Sequence, residues 1–287
     1  MSFWSFFRPK PMPDEEPMAS VGDADLRAVV LSDVGCVRTN NEDAARFIRP
    51  TDADLRTRRG YLAIVADGMG GHAAGEVASA LAVEVVAKTY YEQNEAPDDA
   101  LHKALYKANQ AIWQAASQRS AHRNMGTTCT AVALIDDRFW LAHVGDSRLY
   151  HLKNGEAIAL TVDHTQVRQL LDQQVITAEE ALRHPDRNVL TRAMGTHATV
   201  SIDLADSVHT LAYGERLLLC SDGLYEYISP AELVRFGMAS TLSADARYLI
   251  DLAKLRGGHD NLTVVLIERM DRQLLEANHP TKSIDTP

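Results

Sequence analysis

The stretch Ile64-Val65-Ala66-Asp67-Gly68-Met69-Gly70-Gly71-His72-Ala73-Ala74-Gly75-Glu76 decides how the rest of the chain is read. It begins inside an apolar run, Tyr61 to Ala66, short enough to be a buried strand. The run breaks at an acid followed by three glycines in four positions, and helical texture resumes from about Ala74. A carboxylate at the end of a buried strand is held rigidly at the rim of a sheet. Glycines beside it let backbone amides and carbonyls approach whatever that carboxylate holds. The plainest reading is a strand-to-helix turn carrying a solvated Asp. Against it stands a repetition, because similar acids recur down the chain, each beside an apolar run.

Asp146 and Asp222, like Asp67, follow apolar strands, and Asp260 immediately precedes one, Leu262–Ile267. If that last strand runs antiparallel to the others, all four carboxylates gather at one edge of the β-structure. Glu42, in the loop from Asp33 to Asp43, can reach the same edge. Five clustered carboxylates without matching bases repel one another strongly unless cations sit among them. Oxygen-only ligation, with neither Cys nor paired His, selects hard ions, Mg²⁺ or Mn²⁺. Two such ions sharing a carboxylate suit phosphate-ester hydrolysis, with a bridging water as nucleophile.

Around these acids the texture is mixed. Leu26 to Ser32 reads as a strand. Val77, Leu81 and Val85, then Leu101, Leu105, Ala108, Ile112 and Ala115, mark two one-sided helices broken at Pro97-Asp98. From Gly126 the pattern turns to β. Thr128–Ile135 and Phe139–Val144 flank an Asp136-Asp137 turn, and Leu149–Leu152 and Ala157–Leu160 flank Asn154-Gly155, a strong hairpin signal. Successive hairpins imply a mostly antiparallel sheet. Residues 161–197 are polar, with two short helical pieces (Val167–Leu171, Ala178–Leu182), and read as an insertion over the sheet rim. Strands are expected at Val200–Leu204 and Arg216–Cys220. A short helix from Pro230 and a one-sided helix through Leu242, Ala246, Leu249 and Ala253, closing at Gly257-Gly258, complete the set.

Composition bounds the function. With 287 residues, 46% hydrophobic and 24% charged, the chain has ample core for a globular domain. The net charge of −10, from 39 acids against 29 bases, argues against a nucleic-acid face. The three cysteines, Cys36, Cys129 and Cys220, are odd in number and far apart, and read as reduced core residues of a cytoplasmic protein. No apolar run approaches the ~18 residues of a transmembrane span. The aromatic start, Phe3-Trp4-Ser5-Phe6-Phe7-Arg8-Pro9-Lys10, lacks a signal-peptide core, and residues 9–22 read as a linker.

The order Arg38…Asn41-Glu42-Asp43, Asp67-Gly68-Met69-Gly70-Gly71-His72, Gly126-Thr127-Thr128, Gly145-Asp146-Ser147-Arg148, Ser221-Asp222-Gly223, Asp260-Asn261 resembles the bacterial metal-dependent type 2C serine/threonine protein phosphatases. The resemblance runs from about residue 26 to 268. Asp163-His164-Thr165 and His184–Arg192 resemble that family's flap. It implies an α+β fold, a four-layer α-β-β-α sandwich of two mostly antiparallel sheets flanked by helices, with a helical flap at about 161–197. A phosphatase domain would span 23–270, between a flexible N-terminal segment, 1–22, and a tail, 271–287. Carried over residue by residue, Asp67 would bridge two core ions, Mn²⁺ or Mg²⁺, and the Gly68 carbonyl would bind one. Asp222 and Asp260 would hold one ion and Glu42 the other, largely through water. Asp146 with Asp222 would hold a third, weaker ion, and Arg38 would clamp the substrate phosphate. Met69 stands where animal members carry a general-acid His, which leaves His72, three residues on, as the candidate. Gln173-Gln174 stands where the bacterial flap has glycine. The implied partners are phosphorylated proteins, substrates of a cognate Ser/Thr kinase, acted on by a monomer. A non-catalytic phosphoprotein-binding regulator on the same fold would have lost a metal carboxylate, and none is missing; a small-molecule metallophosphatase stays open.

Overall fold

Three separate hydrophobic cores stack through the molecule, and the layers between them define the architecture. The computed structural model describes residues 26–70, 73–118 and 125–270. The expectations for the termini, including the domain start near Asp23, fall outside them.

In chain order the elements are β1 (Leu26–Asp33), β2 (Asp43–Ile48), α1 (Ala53–Arg59), β3 (Tyr61–Met69), α2 (Ala73–Glu92) and α3 (Pro97–Gln118). Next come β4 (Gly126–Thr127), β5 (Cys129–Ile135), β6 (Arg138–Val144), β7 (Arg148–Lys153), β8 (Glu156–Ala159), α4 (Gln166–Asp172) and α5 (Ala178–Leu182). The last are β9 (Asp203–Leu204), β10 (His209–Thr210), β11 (Arg216–Cys220), α6 (Asp222–Tyr225), α7 (Pro230–Gly237), α8 (Leu242–Leu255) and β12 (Leu262–Arg269). One sheet has the order β1-β12-β11-β7-β8. The other has the order β10-β6-β5-β3-β2, with β9 beside β6 and β4 beside β3. The pairings are antiparallel throughout.

The alternation of strand side chains explains why both faces of each sheet are buried. Along β3, Leu62, Ile64 and Ala66 face α2 and α3, while Tyr61, Ala63 and Val65 face the opposite sheet. Along β11, Leu217 and Leu219 join that inter-sheet core, and Leu218 and Cys220 join the one beneath α7 and α8. The result is the α-β-β-α sandwich. Alanines set the first layer: Ala74, Ala78 and Ala82 on α2 and Ala100, Ala104 and Ala108 on α3 are buried, which lets two long helices lie close on the sheet.

Several expectations are corrected here. The strand carrying Asp67 does not end at Ala66, because Gly68 and Met69 continue it by pairing with Thr127 and Gly126. Asp43–Ile48 forms an additional strand and Ala53–Arg59 a helix capped by Asp52, whose side chain accepts from Leu55 N at 2.8 Å. The strand expected at Val200–Leu204 pairs only at Asp203 and Leu204, since β6 offers just two partners there. Cys129 and Cys220 are buried, but Cys36 is exposed in the turn after β1, its backbone N–H held by Gly258 O at 2.7 Å. The hairpin at Asn154-Gly155 forms with both residues at positive φ, 52° and 76°, which matches the sheet's twist.

Candidate active site

Glycine is what brings the first acids together. Gly68 in β3 and Gly75 in α2 lie back to back: a Cβ on Gly68 would sit 2.2 Å from Gly75 O, and one on Gly75 would sit 2.3 Å from Glu42 Oε2. The spacing of the opening stretch thus serves a close helix-to-strand approach with the Glu42 carboxylate wedged against it. The backbone of Glu42 is fixed as well. Its carbonyl accepts from Gly68 N at 3.1 Å and Ser79 Oγ at 2.6 Å, and its N–H donates to Asn261 Oδ1 at 2.8 Å. Asn261 ties down the whole first loop, donating from Nδ2 to Val34 O and Asn40 O at 3.0 and 2.9 Å.

Asp67 is anchored by its backbone rather than by its carboxylate. Its N–H donates to Thr128 Oγ1 at 2.9 Å, and its carbonyl accepts from Thr127 Oγ1 and Thr128 N. Asp43 is its cross-strand partner on β2. From the other sheet, Asp222 opens α6 directly after β11, and Asp260 precedes β12, which runs antiparallel to β11. Asp146 lies where the chain leaves β6 in one sheet and enters β7 in the other. The two sheets therefore deliver Asp43, Asp67, Asp146, Asp222 and Asp260 to one edge of the sandwich.

Their protonation records the crowding. Burial first, then Asp43, Asp222, Asp146 and Asp260, push the Asp67 carboxyl well above its ordinary range. Burial, then Asp146, Asp260, Glu226 and Asp43, do the same to Asp222. Burial raises Asp146 to about 7, helped by Asp163, and Asp43 to about 6. Asp222 Oδ1 and Asp43 Oδ1 are buried with no hydrogen-bond partner. A cation can satisfy buried carboxylate oxygens that lack donors, so the residues present fit divalent metal ions. Among the described residues, no group of three or more His, Cys, Asp or Glu is arranged to hold an ion unaided.

Arg38 stands over this edge, half exposed, with Nη2 2.7 Å from Asp260 Oδ2. Burial works against its charge, but Asp260, Glu42 and Asp222 outweigh it. The flap packs on the neighbouring rim. Arg187 Nε and Asn188 Nδ2 donate to Glu226 Oε1, just beyond α6, at 3.3 and 2.9 Å.

The structure thus brings together Arg38, Glu42, Asp67, Gly68, Asp146, Asp222 and Asp260, all expected from the sequence. His72 lies outside the described residues. Asp43 was not singled out as a site residue. Its signal was its position next to Glu42, but its burial depends on β2, which the weak alternation of Asp43–Ile48 did not reveal.

Comparisons with known proteins bear on the family and the fold. Residues 38–255 match the family model of protein phosphatase 2C. A putative protein phosphatase 2C-type from Streptococcus pyogenes is 38% identical over 248 residues, 84% of this chain and 97% of that protein. The crystal structure of the Mycobacterium tuberculosis serine/threonine phosphatase PstP/Ppp superposes with a TM-score of 0.76 at 38% identity, covering 86% of this chain and 99% of that one. The PstP catalytic domain in complex with two manganese ions gives 0.72 at 36% identity, over 86% and 99% of the two chains.

Proposed function

The chain belongs to the protein phosphatase 2C family and is a metal-dependent serine/threonine protein phosphatase; from that premise we propose which of its residues do the work. Asp67, Glu42 and the Gly68 carbonyl, with Asp222 and Asp260, would hold two ions, Mn²⁺ or Mg²⁺. Asp146 and Asp222 would hold a third, weaker one. When bound, such ions would lower the pKa of a coordinated water and neutralise charge building on the phosphoryl oxygens. The observation that carries this reading is the pair of partnerless buried oxygens, on Asp222 and Asp43, inside a group of acids that raise one another's pKa.

The protein's own groups do the rest. Arg38 swings from Asp260 to two oxygens of the substrate phosphate, a planar donor suited to bidentate contact. Asp43 is gripped at Oδ2 by Ser221 Oγ at 2.7 Å, and its other oxygen, buried without a donor, would be free to accept from the hydration of a bound ion. The substrates are phosphoproteins made by a cognate Ser/Thr kinase, and the enzyme acts as a monomer. No helix among the described residues is long and apolar enough to cross a membrane.

Two variants test the assignment together. Arg38→Ala should lower kcat/KM on a phosphothreonine peptide by about 10–1,000-fold, mainly through KM, with Mn²⁺ affinity unchanged. Asp222→Asn should lose Mn²⁺ affinity and at least about 100-fold in kcat. Unchanged kinetics in the first, or unchanged metal binding in the second, would remove that residue from its role.

A further inference from the structure

The loop carrying Asp146 is held from two sides by different parts of the molecule. On the inner side Ser147 Oγ meets Thr128 Oγ1 at 2.5 Å, and Thr128 Oγ1 accepts from Asp67 N, so this side is fixed to the core-metal strand. On the outer side the fixing residue is His164. Gly145 N donates to His164 Nδ1 at 3.0 Å, and His164 N donates back to Gly145 O at 2.7 Å. Gly145 needs this grip, because it sits at φ +110° with Thr128 where a Cβ would be.

His164 in turn is oriented by groups at the far end of the flap. Because Nδ1 accepts from Gly145, the ring proton is on Nε2, which donates to Asp203 Oδ2 at 3.0 Å. Asp203 Oδ1 takes Arg192 Nη1 at 2.5 Å. The carbonyl of His164 accepts from Thr191 N at 2.8 Å, and Thr165 bridges to Leu190. The flap thus starts at His164 and returns to it, closing a chain Arg192–Asp203–His164–Gly145 that ends one residue from Asp146. His164 is buried, with its ring 4.8 Å from that of His143, so it has little freedom to turn alone.

The geometry points to His164 as a positioning residue: through its hydrogen bond to Gly145 it sets the Asp146 carboxylate for the third ion, and the Arg192–Asp203 pair locks it in that orientation. This rests on the assignment of Asp146 to that ion. It makes the weak ion's affinity depend on whether the flap is seated, while the core ions, fixed through Thr128, do not depend on it.

The two ring nitrogens can be separated by substitution. His164→Gln keeps a donor near the Nε2 position for Asp203 and loses the acceptor for Gly145; His164→Asn keeps an acceptor at the Nδ1 position. Initial rates on a phosphothreonine peptide are read against Mn²⁺ concentration, with calorimetry following the tight sites. In His164→Gln the midpoint of the weak, millimolar phase should rise about tenfold or more, with the tight sites unchanged. His164→Asn should recover most of that shift, a pattern that loss of packing alone would not give. Equal midpoints in wild type and His164→Gln, or equal shifts in both variants, overturn the inference. Should either variant fail to fold, Arg192→Gln on the part-exposed flap decides; a rise of about threefold in the weak midpoint supports the lock, and no rise overturns it. Asp146→Ala separates the two levels. If it keeps the weak phase, the third-ion assignment falls and this inference with it; if it loses the phase while His164→Gln does not shift it, only the positioning role falls.

Discussion

At the scale of single residues, the site depends on atoms that are missing as much as on those present. Gly68 and Gly75 exist because the β3 backbone and the first turn of α2 touch, and the Glu42 carboxylate fills the remaining space. A methyl on Gly75 cannot be absorbed there, since its nearest neighbours are the Glu42 carboxylate at 2.3 Å and the Gly68 backbone at 2.9 Å. Gly75→Ala should therefore displace Glu42 and weaken one core ion by about tenfold or more, seen by calorimetry, with the fold retained by circular dichroism. Unchanged Mn²⁺ binding would mean that Glu42 holds no ion. The acids at strand ends were readable from sequence because each stood at the boundary of an apolar run. Asp43 was not, since its depth comes from pairing with Asp67 across a strand whose own alternation is weak.

Among the elements, the two short helical pieces expected after residue 161 both form, Val167–Leu171 within α4 and the second as α5. Ala178–Leu182 is found as expected, with a capping box from Thr177 and Glu180. The pair Gln173-Gln174, where the family resemblance leads one to expect glycine, has a structural counterpart: Gln174 follows α4 at φ +58°, a conformation that glycine adopts without strain. Gln174→Gly should relieve about 1 kcal/mol of local strain and slow amide hydrogen exchange in α4 and α5, leaving the sheet amides unaffected. Faster exchange in the flap would show that Gln174 contributes more through contacts than it costs in backbone. The elements that escaped the sequence reading, β2, α1 and the two-residue strand β10, are short or edge-like. Their existence depends on what neighbouring strands offer, which no local pattern records.

For the whole molecule, two-faced strands made the layered fold readable: runs such as Leu217–Cys220 are apolar at every position because both faces are covered. Which sheet each strand joins was not readable residue by residue; the family resemblance supplied only that there are two sheets, and the pairings assign the strands. The same stacking leaves a cost at the acidic edge. In the metal-free protein Asp67, Asp146, Asp222 and Asp43 hold protons above their ordinary range, with Asp43 at about 6 and Asp146 at about 7. A carboxyl whose pKa is raised by folding contributes stability at low pH that is lost as pH rises through the folded value. Metal-free protein should accordingly melt at a lower temperature at about pH 8 than at about pH 5, and Mn²⁺ at the higher pH should restore it by replacing protons with cations. A melting temperature that rises across that interval without metal would contradict the acid cluster. The central claim, that this edge works only when it carries divalent ions, is tested most directly by metal add-back. Protein stripped by a chelator should release no phosphate from a phosphothreonine peptide, regain full rate with Mn²⁺ or Mg²⁺, and fail to regain it in Asp67→Asn. Full activity after exhaustive chelation would contradict it.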